Sequence, residues 1–314
     1  MTVFYSTLNQ TAFLFVFILA GWFLSRGKFV PENSRTVLSK LENTVFIPAL
    51  VLGTFVDNFT SEKLSAAWQL LTGSFALALI TMILALICVK FCSRDKYEQN
   101  LYTYGLSFSN FGFMGNAVVS ALFPDVFLEY LIFTLPLWSL IYLWGVPVLL
   151  MGDSSQKPTM AQRMKNFCNP MFAATALGMV IGLAKIPVPG FLSSAISTAG
   201  SCMSPIAMLL TGMTVAQFRF QEILTNKGVW LVTALRLLVF PGIFLGVMSR
   251  VPMEETFAVC AICSLAMPLG LNTIIIPSAQ GKDTKVGAGM ALVSHVLSCV
   301  TIPLVFMLFQ YLKA

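Results

Sequence analysis

Charge is scarce in this chain. Asp, Glu, Lys and Arg make up 10% of its 314 residues, where an ordinary soluble domain carries about 25%. With 57% hydrophobic residues and a mean hydropathy of +0.83, that scarcity excludes a soluble globular domain and indicates an integral membrane protein. Histidine is nearly absent as well, His295 being the single one. No His-Glu-x-x-His run and no aspartate cluster occurs, so the motifs of membrane metalloproteases and prenyl transferases are missing. Ser294 beside His295 cannot act as a protease pair, because adjacent residues on a helix point in different directions. An enzyme is therefore disfavoured, and no cofactor is implied.

Paired cysteines are also lacking. There are seven, an odd count, and all but Cys168 lie within or at the ends of apolar runs, so no disulfide framework follows. Cys260-Ala-Ile-Cys263 has metal or redox spacing, but a metal needs two further ligands and the only histidine is His295; no metal site is expected. The net charge of +6 implies no nucleic acid, since the basic residues fall in short loops between apolar runs and report topology instead.

Long apolar runs are what the chain has in abundance. A span needs roughly 20 residues to cross about 30 Å of hydrocarbon, and that window predicts ten transmembrane helices, over 4–24, 35–56, 66–91, 98–122, 127–151, 169–185, 192–215, 229–249, 255–280 and 285–311. The first is read as a span and not a signal peptide, because Arg26 and Lys28 follow the run instead of preceding it. Basic residues crowd the loops after odd-numbered helices, among them Arg26, Lys28, Lys90, Arg94, Lys157, Arg163, Arg219, Lys227, Lys282 and Lys285. The positive-inside bias puts those loops in the cytoplasm and both termini outside. A polar linker over 157–168 divides the chain into five-helix halves, 1–156 and 169–314. Five is odd, so the second half enters the membrane from the opposite side and any likeness between the halves is an inverted repeat. Pro31 and Pro189, Pro48 and Pro205, and Gly115-Asn116 and Gly270-Leu271-Asn272 pair off at roughly one common offset.

Two helices are built to break. Helix four carries Asn110, Gly112, Gly115 and Asn116; helix nine carries Pro268, Gly270, Asn272, Thr273 and then Pro277. Interior proline costs a helix about 3 kcal/mol and glycine about 1 kcal/mol relative to alanine. Matched breaks expose half-helix N-termini at mid-membrane, suited to an anion, and the amides can reach polar substrate groups without a fixed charge. These residues are the predicted substrate site, against the plainer reading that glycine packs helices and proline kinks them. Arg236, about 12 Å into helix eight at 1.5 Å per residue, either draws an anion inward or snorkels or pairs structurally. His295 either titrates in a proton-coupled cycle or hydrogen-bonds across helices in its neutral form. Acidic residues are read as lying near the outer ends of spans (Asp57, Asp125, Glu129, Glu254, Glu255), which counts against cation exchange through a buried carboxylate.

Leu38-Ser39-Lys40-Leu41 leading to Phe46-Ile47-Pro48-Ala49-Leu50, Asn110-Phe111-Gly112-Phe113-Met114-Gly115-Asn116, and Met267-Pro268 with Asn272 resemble the auxin efflux carrier family over essentially the whole chain. The resemblance implies two inverted five-helix repeats, as in bile-acid symporters and sodium/proton antiporters, with broken helices four and nine crossing at the substrate site. It implies a scaffold and homodimer face of helices one, two, six and seven, and a mobile transport domain of the others. It implies as substrate a small organic anion, an auxin or a dicarboxylate, carried by alternating access. Many members have a proline just after the position of Asn116, where this chain has Ala117. The alternative is a sodium- or proton-coupled carrier of another solute on the same fold.

Overall fold

The structure, a computed structural model, describes residues 2–151, 170–217, 225–279 and 282–313. The predicted linker over 157–168 lies outside the described residues, as do Cys168 and Arg219. The helices are α1 (Thr2–Arg26), α2 (Ser34–Asn58), α3 (Ser61–Cys92), α4a (Lys96–Ser107), α4b (Phe111–Leu122), α5 (Pro124–Leu150), α6 (Pro170–Ala184), α7 (Gly190–Val215), α8 (Lys227–Met248), α9a (Glu255–Leu265), α9b (Asn272–Ala279) and α10 (Lys285–Lys313). Among the described residues no strand forms. Among the described residues six helices are long and apolar enough to cross a membrane: α2, the Ala67–Cys92 part of α3, α5, α7, α8 and α10. The protein is thus an all-helical, multi-pass membrane protein.

Local chemistry sets the helix ends. Asp95, Asn226 and Glu254 each cap a helix by accepting from backbone N–H groups two or three residues on, satisfying donors that the first turn leaves unpaired. Lys185 closes α6 in a left-handed conformation, φ 50, with Ile186 N–H returned to the Ile181 carbonyl at 3.1 Å, and Pro187 and Pro189 prevent continuation.

α1 packs along the second segment of α7, where a Cβ on Gly212 would sit 1.9 Å from the Ile18 carbonyl oxygen; only glycine allows that backbone approach. α2 packs on α6 and on the first segment of α7, while α3 packs on α4a and α5, and α8 on α10. Between these groups α2 presents a single buried stripe, Glu42, Ile47, Val51 and Phe55.

Glu42 corrects one sequence expectation. It lies about 12 Å along α2 from Ser34 at 1.5 Å per residue, it is 0% exposed, and neither carboxyl oxygen has a hydrogen-bond partner. A span does carry an interior carboxylate. It escapes the helical period because a π-helical turn, Glu42–Phe46, interrupts α2 at that point.

Candidate substrate site at the helix crossing

The fourth and ninth apolar runs both break, but in the fourth the gap falls at 108–110, ahead of Gly112, Gly115 and Asn116, which lie inside α4b. α4a stops at Ser107 and α4b resumes at Phe111; α9a stops at Leu265 and α9b resumes at Asn272. The intervening strips meet each other. Asn110 N–H donates to the Pro268 carbonyl at 2.7 Å, and Ser109 and Leu269 form an isolated antiparallel bridge. The hydroxyl of Ser109 donates to the Ser264 carbonyl at 2.8 Å, and Leu269 N–H donates to the Ser294 hydroxyl at 3.1 Å. Non-helical backbone at membrane depth is tolerated where protein surrounds it and fills its bonds. Gly270 permits the approach, since a Cβ there would lie 2.8 Å from the Phe108 carbonyl oxygen.

Arg236 stands behind this crossing. It is 1% exposed, so it does not snorkel. Its Nε, Nη1 and Nη2 donate to the carbonyls of Met267 (3.3 Å), Leu106 (2.9 Å) and Ser264 (2.9 Å). Those carbonyls belong to the C-terminal ends of α4a and α9a and the strip that follows, the negative poles of two half-helices. One guanidinium serves both, because its donors diverge in a fixed plane.

A cavity of about 590 Å³ opens at the other face of the second half-helix. Leu50, Gly53 and Thr54 of α2 and Ser193, Ser197 and Gly200 of α7 form one wall; Ser120 of α4b and Phe127 and Glu129 of α5 form the other. Lys63, at the start of α3, forms an ion pair with Glu129, and both residues also line a second cavity of about 420 Å³.

A family profile described as membrane transport protein matches residues 6–306, nearly the whole chain. The chain belongs to that family, the auxin efflux carriers. It is a family of transporters, not of enzymes. No curated protein matches the chain.

In this member of the family the predicted site residues divide among three settings. Asn110, Pro268 and Gly270 meet at the crossing itself, joined by His295: the Asn110 amide Nδ2 lies 2.9 Å from His295 Nε2, and His295 Nδ1 lies 2.7 Å from the Ala291 carbonyl. A carbonyl only accepts, so Nδ1 carries the proton and Nε2 accepts from Asn110. Asn110 Oδ1 is left without a partner. Asn272 and Thr273 are held locally, the amide donating to the Tyr104 hydroxyl at 2.8 Å and the threonine hydroxyl to the Gly270 carbonyl at 2.9 Å. Asn116 faces away from them, into a narrow gap it shares with Ile47, Val51 and Phe55 of α2, Thr134 and Trp138 of α5 and Thr175 of α6, and its Oδ1 has no partner either. Gly112 and Gly115 make room for the Trp138 ring and the Tyr130 hydroxyl.

Sequence reasoning missed Tyr104, Ser264 and the Lys63–Glu129 pair, which carry no motif. It also missed Glu42, which a residue-by-residue check of the second span for charge finds directly.

Proposed function

We propose that this carrier moves a small organic anion, a mono- or dicarboxylate or an auxin-like acid, across the cell membrane as a secondary transporter working by alternating access. The observation that carries the reading is the charge balance at the crossing. Both negative helix poles are occupied by Arg236 through the carbonyls of Leu106, Ser264 and Met267. The two poles that begin there, at α4b and α9b, are positive, each worth roughly +0.5 of a charge. A guanidinium behind two helix N-termini favours a carboxylate. Three of the carbonyls that could have helped to hold a sodium ion are in use.

The matched breaks support two inverted repeats, 1–156 and 169–314. In this reading α1, α2, α6 and α7 form the scaffold and the face of a homodimer, while α3 to α5 and α8 to α10 move. The cavity between α2 and α7 on one side and α4b and α5 on the other is then the open access route, on the extracytoplasmic side by the distribution of basic loops. Asn110, Asn116 and Asn272 supply uncharged donors and acceptors to the solute.

Uptake of a radiolabelled panel of mono- and dicarboxylates, an aromatic acetic acid and neutral analogues into proteoliposomes tests this. Saturable flux of at least one carboxylate, competed by others, is expected. Flux of a neutral solute with none for any carboxylate overturns the anion reading.

A further inference from the structure

α2 holds a carboxylate that neither the crossing nor the cavity uses. The π turn Glu42–Phe46 selects it. Ile47 N–H bonds back to the Glu42 carbonyl, five residues away, so Glu42 falls in line with Ile47, Val51 and Phe55. In an uninterrupted α-helix the residue one turn before Ile47 would be Asn43. Asn43 is instead exposed and bonds back to the Ser39 carbonyl at 2.7 Å. The extra residue of a π turn commonly marks a functional position, and here it rotates an acid inward in place of an amide.

The stripe it joins is one wall of a seam. Ile47, Val51 and Phe55 face Asn116, Thr134 and Thr175 across the narrow gap. Glu42 lies toward the Ser34 end of α2, whereas the 590 Å³ cavity opens toward Asp57 and Asn58 at the opposite end. Three buried acceptors along this wall and gap lack a donor: both Glu42 oxygens and Asn116 Oδ1.

Among the described residues, the elements packed on Glu42 offer no counter-charge. Its turn packs against α6 and both segments of α7, and those segments carry no acidic or basic side chain, Cys202 at the bend of α7 being the one titratable group. On α2 itself Arg35 interacts with Glu32, and Lys40 is exposed. Burying an isolated carboxylate costs far more than burying the neutral acid. A metal cation needs several oxygen ligands, and no group of three His, Cys, Asp or Glu occurs among the described residues. A proton satisfies a lone acid by itself.

We propose that Glu42 is a proton-binding site on the scaffold wall of the seam, which takes up one proton when the seam closes at its end and releases it when the seam opens there. The step is the protonation of one carboxylate, with the proton drawn from and returned to water. It rests on the alternating-access reading, and it links the equilibrium between the two states to pH whatever the solute.

Two measurements on the purified full chain in detergent, with no solute present, test it. Dicyclohexylcarbodiimide adds to a protonated carboxyl in an apolar site and leaves an N-acylurea with no atom lost. Peptide mass spectrometry is expected to find that adduct on Glu42 and not in Glu42→Gln. Labelling should fall about tenfold per pH unit above its midpoint, as a single proton requires, with no protection by sodium chloride over choline chloride. No adduct at any pH overturns the site, and protection by sodium at fixed pH makes it a cation site instead. Hydrogen–deuterium exchange over 35–55, compared between the two proteins at each pH, tests the link to the seam. Wild type should match Glu42→Gln at acid pH and exchange about tenfold faster than it at alkaline pH. Equal exchange at every pH overturns the link. Neither outcome depends on transport, so failure here leaves the anion reading to its own test.

Discussion

The Asn110 N–H and the Pro268 carbonyl, 2.7 Å apart, belong to different halves of the chain, and each break supplies what the other lacks. A broken helix in hydrocarbon frees donors and acceptors that must be satisfied internally. Here the strip after α4a pairs with the strip after α9a through that bond and the Ser109–Leu269 bridge. Each break thus satisfies part of the backbone that the other leaves open.

The tightness of that pairing depends on Gly270. Gly270→Ala would put a methyl 2.8 Å from the Phe108 carbonyl oxygen, a contact of backbone against backbone that no rotamer relieves. A cost of about 1–3 kcal/mol is expected, read as a fall of several degrees in the thermal midpoint of the purified protein. Transport should be lost out of proportion to stability, because the displaced strip holds Asn110.

Arg236→Met should be the most damaging single change at the crossing. It takes the guanidinium donor from the Leu106, Ser264 and Met267 carbonyls, leaving Ser264 only the Ser109 hydroxyl, and hydrogen bonds to a charged group contribute about 1.5–3 kcal/mol each. Arg236→Lys keeps the charge but cannot reach three diverging acceptors at once, and should recover stability only in part. Thermal unfolding of the three proteins in one detergent gives the order.

Asn116 and Asn272 should separate stability from affinity. Asn272→Ala removes the bond to Tyr104 and strands a buried hydroxyl, which costs about 1–3 kcal/mol. The Asn116 Oδ1 has no partner to lose, so Asn116→Ala should change the unfolding midpoint little while weakening solute binding. Equal affinity in wild type and Asn116→Ala, measured by isothermal titration with a transported acid, would make the amide a packing group.

Glu254 gives the start of α9a a pH dependence. Partial burial works to raise its pKa, but hydrogen bonds from the Thr256 side chain and from the Phe257 and Thr256 backbone N–H groups outweigh that and hold it below the ordinary carboxylate value. A depressed folded pKa contributes stability above the unfolded value, and that stability is lost as pH falls through the folded one. The group is exposed, so the contribution is a few tenths of a kcal/mol at most, about the level of other solvent-screened charges. Amide exchange at Thr256 and Phe257 should quicken in acid in the wild type, with Glu254→Gln showing no such step.

The break in the ninth run was legible because Pro268 and Gly270 contradict an apolar run where they stand, and the fourth run was marked as irregular by Asn110, Gly112 and Gly115, although its gap falls at 108–110 and both glycines lie inside α4b, against Trp138 and Tyr130. The partners of Arg236 were not, since they are main-chain carbonyls, which every residue possesses and no composition reveals. Glu42 stands plainly in the second span, but its inward facing was not legible, for a different reason. Facing is inferred from a 3.6-residue period, and the single extra residue of a π turn shifts which of Glu42 and Asn43 points inward without changing the count of apolar residues. Asn116 and Asn272 look equivalent in matched motifs, yet one faces α2 across a gap and the other is bonded to Tyr104 of α4a, a distinction made by tertiary packing alone.

The length of α3 ties the carrier to its lipid. Its apolar stretch, Ala67–Cys92, runs 26 residues, about 39 Å at 1.5 Å per residue, against a hydrocarbon layer of about 30 Å. The excess must be absorbed by leaning or by local thickening of the bilayer. α3 packs on both α4a and α5, so its lean is passed to α4a, which leads into the first break, and to α5. Membrane thickness thereby becomes a mechanical load on the crossing, and acyl-chain length a variable of the carrier's working cycle.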